Sequence, residues 1–115
     1  MVHIRRVYEE VGAMEGKYFL VDGLWPRGVK KEKLSFAIWL RDAAPSPELR
    51  KWFGHDPEKW VEFRRRYFKE LDENPGGWEL LKEAVQKGNV TLLYGAKDEK
   101  YNNAVALREY LEEKI

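Results

Sequence analysis

Charged, amide and aromatic side chains that could bind a ligand or act in catalysis lie just after two apolar runs of the chain, 18–21 and 90–94. Paired cations could bind a phosphate or a carboxylate there. A carboxylate could act as a general base or accept hydrogen bonds from ribose hydroxyls or ammonium groups, and a tryptophan could stack on a base or ring. The predicted ligand-binding residues are Asp22, Trp25, Arg27, Lys97, Asp98 and Asn102, with His55, Tyr94 and Asn103 as further candidates.

Both apolar runs predict β-strands that would place these candidates together. The continuous run from Val90 to Tyr94 is typical of a central parallel strand buried on both faces. The first run ends on Asp22, after which Pro26 fixes its own φ and Gly28 permits a backbone conformation that other residues resist. Because open α/β sheets hold ligands at the carboxyl ends of their strands, parallel neighbours would bring both sets of residues to one rim.

Structural roles compete with each of these assignments. Asp22 could form an ion pair with Arg27 that holds the turn, and the sequence favours neither this structural role nor a functional role. Asp98 could cap the last helix. For Asn102 and Asn103, capping or hydrogen bonding to the neighbouring turn is the favoured role.

His55 lies between two predicted helices and is followed by Asp56. A histidine beside an acid can act as a general base, but Asp56 is too near in sequence to orient the imidazole as in a triad. We therefore favour a junction histidine that satisfies backbone groups. The neighbouring Trp52 and Phe53 could line the same pocket or cover a partner site.

The remaining patterns complete an α/β fold in one domain spanning residues 1–115. Ser46 and Pro47 predict the start of one helix, which Gly54 ends, and Asp56-Pro57 repeats the start signal for the next. We expect a small, mostly parallel sheet flanked by about four helices in a Rossmann-like layering. The predicted elements are strands at 3–8 (near an edge), 18–22, 36–40 and 90–94, a loop at 9–16, a helical turn at 29–34, and helices following Ser46, Asp56, Pro75 and Asp98.

Composition excludes several classes of site. The chain has 115 residues, no cysteine and two histidines, so it offers no disulfide, no thiol nucleophile and no thiolate metal site, and we predict no metal. With 21 basic and 20 acidic residues the formal net charge is +1, which argues against a dedicated nucleic-acid binder. The dense basic cluster Arg64–Arg66 is expected to be a solvated face.

Location is predicted from what the sequence lacks. No apolar run approaches the roughly 18 residues of a membrane span, and the N-terminus has no signal-peptide pattern. We therefore expect a cytoplasmic protein with no membrane association. The charge-rich, cysteine-free composition is typical of a thermophile.

Several motifs resemble those of the YeaO-like proteins, classed as domain of unknown function 488. The resemblance covers nearly the whole chain in family order and implies an uncharacterised, cytoplasmic α/β domain with no established substrate or catalytic residue to transfer. The matching stretches are Val21 to Gly28, Trp39-Leu40, Ala44 to Ser46, Leu49-Arg50, Trp52 to Pro57, Trp60, Phe63, Tyr67, Thr91 to Tyr94, Ala96 to Asp98, Asn102 and Ala104.

The leading hypothesis is a domain that binds a small anionic ligand at the rim of the sheet. The ligand would carry a phosphate or a carboxylate and could be nucleotide-like, and enzymatic activity is left open because no known catalytic motif is present. The alternative is a nucleic-acid or protein interaction module that uses the Arg64–Arg66 face. The patterns name no cofactor and no oligomeric state.

Overall fold

The computed structural model describes residues 1–9 and 16–115, so most of the predicted loop at 9–16 lies outside the described residues. Within the described ranges, four parallel strands form one sheet in the order β1-β4-β2-β3. The sheet confirms the predicted α/β class. Its strands are β1 (Val2–Arg6), β2 (Lys17–Leu20), β3 (Ala37–Trp39) and β4 (Val90–Tyr94).

The helices follow the predicted capping signals closely. They are α1 (Pro47–Phe53), α2 (Trp60–Glu73), α3 (Glu79–Lys87) and α4 (Asn103–Lys114), with short 3-10 turns at Lys31–Leu34, Arg41–Ala43, Pro57–Lys59 and Pro75–Gly77. In the described parts of the chain, none of the helices is long and apolar enough to cross a membrane.

Local chemistry explains where α1 and α2 begin. The Ser46 hydroxyl accepts a hydrogen bond from the Leu49 N–H, and Gly54 ends α1 in a left-handed conformation at φ 51°. Asp56 also caps, but its carboxylate accepts from the N–H of Glu58 and starts a 3-10 turn, so α2 begins three residues after Pro57.

The two faces of the sheet bury different clusters. The face that carries Phe19, Leu92 and Tyr94 packs against apolar side chains from all four α-helices described above. The opposite face, with Leu20 and Leu93, is covered by Leu34 and by half-buried residues between positions 25 and 39. Since alternate residues of a strand point to opposite faces, β4 is buried on both sides, as its continuous apolar run predicted.

Strand order brings the two predicted rim segments together. β2 and β4 are parallel neighbours, with Leu20 opposite Leu93. The carboxyl ends of both strands therefore lie side by side, and Asp22, two residues after the end of β2, lies next to Gly95.

β1 is the outermost strand on one side of the sheet, as its arginine-interrupted pattern predicted.

Candidate functional site

A cleft of about 690 Å³ opens at this edge of the sheet, and we call it the rim cleft. It is bounded by the segments after β2 and β4, by α1 and the junction that follows it, and by Phe63 of α2. Its lining residues are Tyr8, Asp22 to Arg27, Pro45, Arg50, Phe53, His55, Phe63, Gly95 to Asp98, Asn102 and Asn103. Of the nine predicted candidates, the cleft contains all except Tyr94, which lies buried in β4.

Asp22 lies at the centre of the hydrogen bonding in the rim cleft. Its Oδ2 accepts from the N–H of Gly95 at 2.8 Å, and its Oδ1 accepts from Nδ2 of Asn103 at 3.1 Å. Burial raises the pKa of the Asp22 carboxyl above its ordinary value. The two hydrogen bonds and the charges of Arg50 and His55 act in the opposite direction without overcoming the effect of burial.

The turn is not held by an ion pair between Asp22 and Arg27. Among the described residues the ion pairs do not include these two, and the arginine whose charge acts on Asp22 is Arg50. The Arg27 side chain is exposed, while its carbonyl accepts a hydrogen bond from the Tyr8 hydroxyl at 2.7 Å. The ion-pair alternative raised by the sequence is therefore wrong, and Arg27 and Lys97 are both exposed cations on the cleft wall.

Arg50 is a cleft residue that the sequence patterns did not predict as part of the site. It projects from α1, is half-buried, and packs so closely on Gly23 that a Cβ atom there would lie 2.7 Å from Nη1 of Arg50. Gly23 does not have a positive φ, so its backbone conformation does not require glycine. The glycine instead leaves room for the Arg50 side chain. A glycine next to the candidate acid was the one sequence sign of such a close approach.

Aromatic and proline side chains form the apolar walls of the rim cleft. Phe53 of α1 stacks on Phe63 of α2 with ring centroids 4.3 Å apart. Across the cleft, the indole N–H of Trp25 donates to the Val29 carbonyl at 2.6 Å, which holds the half-buried ring in place. Phe53 thus lines the same cleft as His55, which was one of the two roles predicted for it, whereas Trp52 lies outside the rim cleft.

Two polar side chains after β4, Asp98 and Asn102, accept hydrogen bonds from backbone N–H groups a few residues further along the chain. The Asp98 carboxylate accepts from the N–H groups of Lys100 and Tyr101, which lowers its pKa, so it caps the preceding turn rather than α4 itself. Asn102 is the N-cap of α4, accepting from the Val105 N–H at 2.9 Å, and only 1% of it is exposed. Its capping role is confirmed.

Asn103 links the two halves of the rim. Its Nδ2 donates to the Val21 carbonyl at 2.9 Å as well as to Asp22. The prediction that this residue bonds to the neighbouring turn is therefore confirmed. Together with the Gly95 N–H, it ties the start of α4 and the end of β4 to the end of β2.

His55 lines the rim cleft with an exposed side chain and a left-handed backbone at φ 57°. This conformation costs a non-glycine residue roughly 1–2 kcal/mol. Among the described residues, none forms a hydrogen bond with its imidazole, so the favoured role of satisfying backbone groups is not found. The ring instead makes a tilted contact with Phe53 at a centroid distance of 6.3 Å.

The basic cluster Arg64–Arg66 lies away from the rim cleft and is largely neutralised. Arg64 pairs with Glu109 of α4, and both Arg65 and Arg66 bind Glu62 one turn earlier. Hydrogen bonds from these two arginines lower the pKa of Glu62 to about 2. The expected solvated face is thus a network of ion pairs on the outer side of α2.

The chemistry available in the rim cleft is recognition of charge and of hydrogen-bond donors. It presents three cationic side chains, Arg27, Arg50 and Lys97, together with two half-buried carboxylates, Asp22 and Asp98, and apolar walls. Within residues 1–9 and 16–115, no group of three or more His, Asp and Glu side chains lies together as a metal site would require.

Comparison with known proteins assigns the family. A family described as the inactive DUF488-N3 subclade matches residues 1–115. The chain belongs to this subclade. It is 36% identical to the uncharacterised protein YeaO of Escherichia coli (strain K12) over 110 residues, which cover 96% of each chain. It is also 43% identical over 81 residues to an uncharacterised protein of Mycobacterium tuberculosis (strain ATCC 25618 / H37Rv), which covers 70% of this chain and 69% of the relative.

These relatives confirm the YeaO-like resemblance that the motifs indicated. No solved structure shows a significant match to the chain. The family adds its description as inactive, and both reported relatives are named as uncharacterised proteins. Any more specific function has to be argued from the geometry of the rim cleft.

Proposed function

We propose that the rim cleft binds a small anionic ligand that carries a phosphate or a carboxylate, with nucleotide-like molecules among the candidates. The observation that carries this proposal is the convergence of two strand ends on one cleft. Arg27 comes from the first segment and Lys97 from the second, and the Asp22 carboxylate lines the same cavity. Clefts of several hundred cubic ångströms with apolar walls and a few convergent polar groups are typical of small-molecule sites.

The proposed activity is binding without catalysis. The subclade is described as inactive, and the sequence contains no cysteine that could act as a nucleophile. Asp22 already uses its carboxylate to hold Gly95 and Asn103. A group with these tethers fits a rigid binding residue better than a base that must move a proton to and from a substrate.

A thermal-shift screen tests the proposal. The full chain is heated with nucleotides, sugar phosphates, small carboxylates and short oligonucleotides, because a ligand that binds the folded state raises the melting temperature by mass action. We expect stabilisation by small anions. The double variant Arg27→Ala/Lys97→Ala should lose most of this stabilisation while the melting temperature without ligand changes little, since both side chains are exposed.

The control is the double variant Lys31→Ala/Lys33→Ala, which removes the same charge from exposed positions outside the rim cleft. It should keep the ligand-induced shift. An equal loss in both double variants would mean that only the net charge matters, and the proposed site would be wrong. Stabilisation by oligonucleotides alone would favour an interaction module instead.

A further inference from the structure

Arg50 is held differently from the other cations of the rim cleft. Its side chain is half-buried, whereas those of Arg27 and Lys97 are exposed. Among the described residues, none forms an ion pair or a side-chain hydrogen bond with its guanidinium, although its charge acts on Asp22. A guanidinium carries five N–H donors in a planar fork that matches phosphate and carboxylate oxygens. Arg50 therefore presents uncommitted donors to the cleft.

The packing around Gly23 explains how the guanidinium reaches the cleft. Because a Cβ on Gly23 would lie 2.7 Å from Nη1 of Arg50, only glycine leaves room for the side chain in this position. The same glycine directly follows Asp22, so the arginine is laid against the backbone next to the acceptor carboxylate. A ligand that contacts one of these two side chains is well placed to contact the other.

The helix that carries Arg50 is anchored at its start. The Glu70 carboxylate of α2 accepts hydrogen bonds from the N–H of Ser46 at 2.9 Å and from its hydroxyl at 2.6 Å. The buried hydroxyl of Tyr67 also donates to the Ala43 carbonyl, just before α1. These contacts fix the base of the Arg50 side chain before any ligand binds, and such preorganisation reduces the entropy lost on binding.

Asp22 retains acceptor capacity beside this arginine. An ionised carboxylate offers about four lone-pair positions, and the two hydrogen bonds from Gly95 and Asn103 use one on each oxygen. The side chain also lines the rim cleft. A ligand group next to it should therefore be a hydrogen-bond donor, such as a hydroxyl.

The geometry points to hydroxylated phosphate esters, such as sugar phosphates or nucleotides, as the ligand class, with the phosphate on Arg50 and a hydroxyl donating to Asp22. The three cations outnumber the two carboxylates that line the cleft, Asp22 and Asp98, so the cleft has an excess of positive charge for a phosphate. A bidentate arginine contact also suits phosphate oxygens. The volume of about 690 Å³ also leaves room for a sugar beside the phosphate. This inference rests on the proposed anion-binding function and names its ligand class.

Isothermal titration of the full chain with ribose 5-phosphate, pentyl phosphate and acetate tests this assignment. Pentyl phosphate keeps the phosphate and the chain length but lacks the hydroxyls. We expect ribose 5-phosphate to bind about tenfold or more tightly than pentyl phosphate, because a hydroxyl donated to a charged carboxylate is a strong hydrogen bond. Acetate should bind more weakly than either phosphate ester.

Two variants test Arg50 by different means. Arg50→Gln removes the charge, and Gly23→Ala keeps every charge but displaces the flexible end of the arginine. Each should weaken ribose 5-phosphate binding about tenfold or more. The matched controls are Lys51→Gln, an exposed cation of α1 outside the cleft, and Gly76→Ala, where a Cβ would meet nothing within 4 Å. Both controls should bind as the unaltered chain does.

The outcomes separate this inference from the proposed function. If acetate or pentyl phosphate binds as tightly as ribose 5-phosphate, the ligand class is wrong while anion binding stands. If the phosphate esters bind equally well to Arg50→Gln and Gly23→Ala but not to Arg27→Ala/Lys97→Ala, the role of Arg50 is wrong. Absence of any anion binding to the unaltered chain would overturn the proposed function and this inference with it.

Discussion

The rim cleft and the outer face of α2 are both rich in arginine and lysine, but they use positive charge in opposite ways. On the outer face, Arg64, Arg65 and Arg66 are paired with carboxylates of the same or the adjacent helix. In the rim cleft, the cations belong to three separate segments and the nearby Asp22 is bonded to N–H groups instead. The densest basic run in the sequence is thus the less available one.

The density of basic residues along a chain therefore does not measure how much positive charge is available to a partner. Residues three and four apart on a helix are neighbours, so Glu62 reaches both Arg65 and Arg66 and neutralises part of the cluster. Exposed pairs of this kind contribute little to stability, but they reduce the attraction for an anion. Among the residues that the structure describes, none forms an ion pair with the cleft cations Arg27, Arg50 and Lys97.

The largest expected contrast lies between the two faces of α2. Phe63 is 1% exposed and stacks on Phe53 in the wall of the rim cleft, so Phe63→Ala should lower the free energy of unfolding by about 3–5 kcal/mol. Arg65→Ala should change it by no more than roughly 0.5 kcal/mol. Urea denaturation of both variants measures the difference. Similar losses in the two variants would show that the outer network stabilises the fold far more than its exposure suggests.

A smaller effect should follow from releasing the outer arginines. Glu62→Gln removes the carboxylate that binds Arg65 and Arg66, so we expect it to strengthen binding to a duplex oligonucleotide severalfold at low salt. Fluorescence anisotropy across a salt series checks this, since phosphate contacts weaken steeply as salt rises. Tight, salt-dependent binding by the unaltered chain would instead support the nucleic-acid alternative.

The smallest effect is a difference in titration between the two regions. Asp22 has a raised pKa because of burial, whereas the pKa of Glu62 is lowered to about 2 by its arginines. On acidification Asp22 should be protonated before Glu62, because the pKa of Asp22 lies above its ordinary value of 3.8 and the pKa of Glu62 is lowered to about 2. Carbon-13 NMR of the side-chain carboxyls follows both groups, and protonation in the reverse order would contradict the two environments.

These shifts act on stability with opposite signs. The contribution of Asp22 to the free energy of unfolding is fully present below the pKa that this group has in the unfolded chain. It is lost as the pH rises through the higher pKa that the group has in the folded protein. The Glu62 contribution is present above its unfolded pKa, near 4.5, and is lost as pH falls through about 2. Because Glu62 is exposed, its effect on stability should be the weaker of the two.

Much of the fold could be predicted from local patterns. The caps at Ser46 and Asn102, the left-handed stop at Gly54 and the buried run of β4 were each recognisable from residue type and position. Strand ends were predicted less closely: strands were expected at 3–8, 18–22 and 36–40 and are found at Val2–Arg6, Lys17–Leu20 and Ala37–Trp39. Asp56 caps a 3-10 turn rather than α2 itself. The cytoplasmic location and thermophile-like composition stay predictions.

The candidate site was predicted in part. Eight of the nine proposed residues line one cleft, because β2 and β4 are parallel neighbours whose ends meet at the same edge. The partners within that cleft were not predictable. The sequence suggested Arg27 as the partner of Asp22, since it lies five residues away in a short turn, whereas in the structure the carboxylate bonds to Gly95 and Asn103. The arginine that packs on the adjacent Gly23 is Arg50.

By itself, the sequence determined the order and type of the elements, the family and the location of the two chemically rich segments. These depend on short-range effects such as apolar periodicity, capping and glycine conformation, which act within a few residues. Which groups come into contact depends on tertiary packing. Asp22 bonds to Gly95 and Asn103, 73 and 81 residues away, and Arg50 of α1 packs against Gly23 in the segment after β2. Such contacts arise from the packing of whole elements, and no local spacing encodes them.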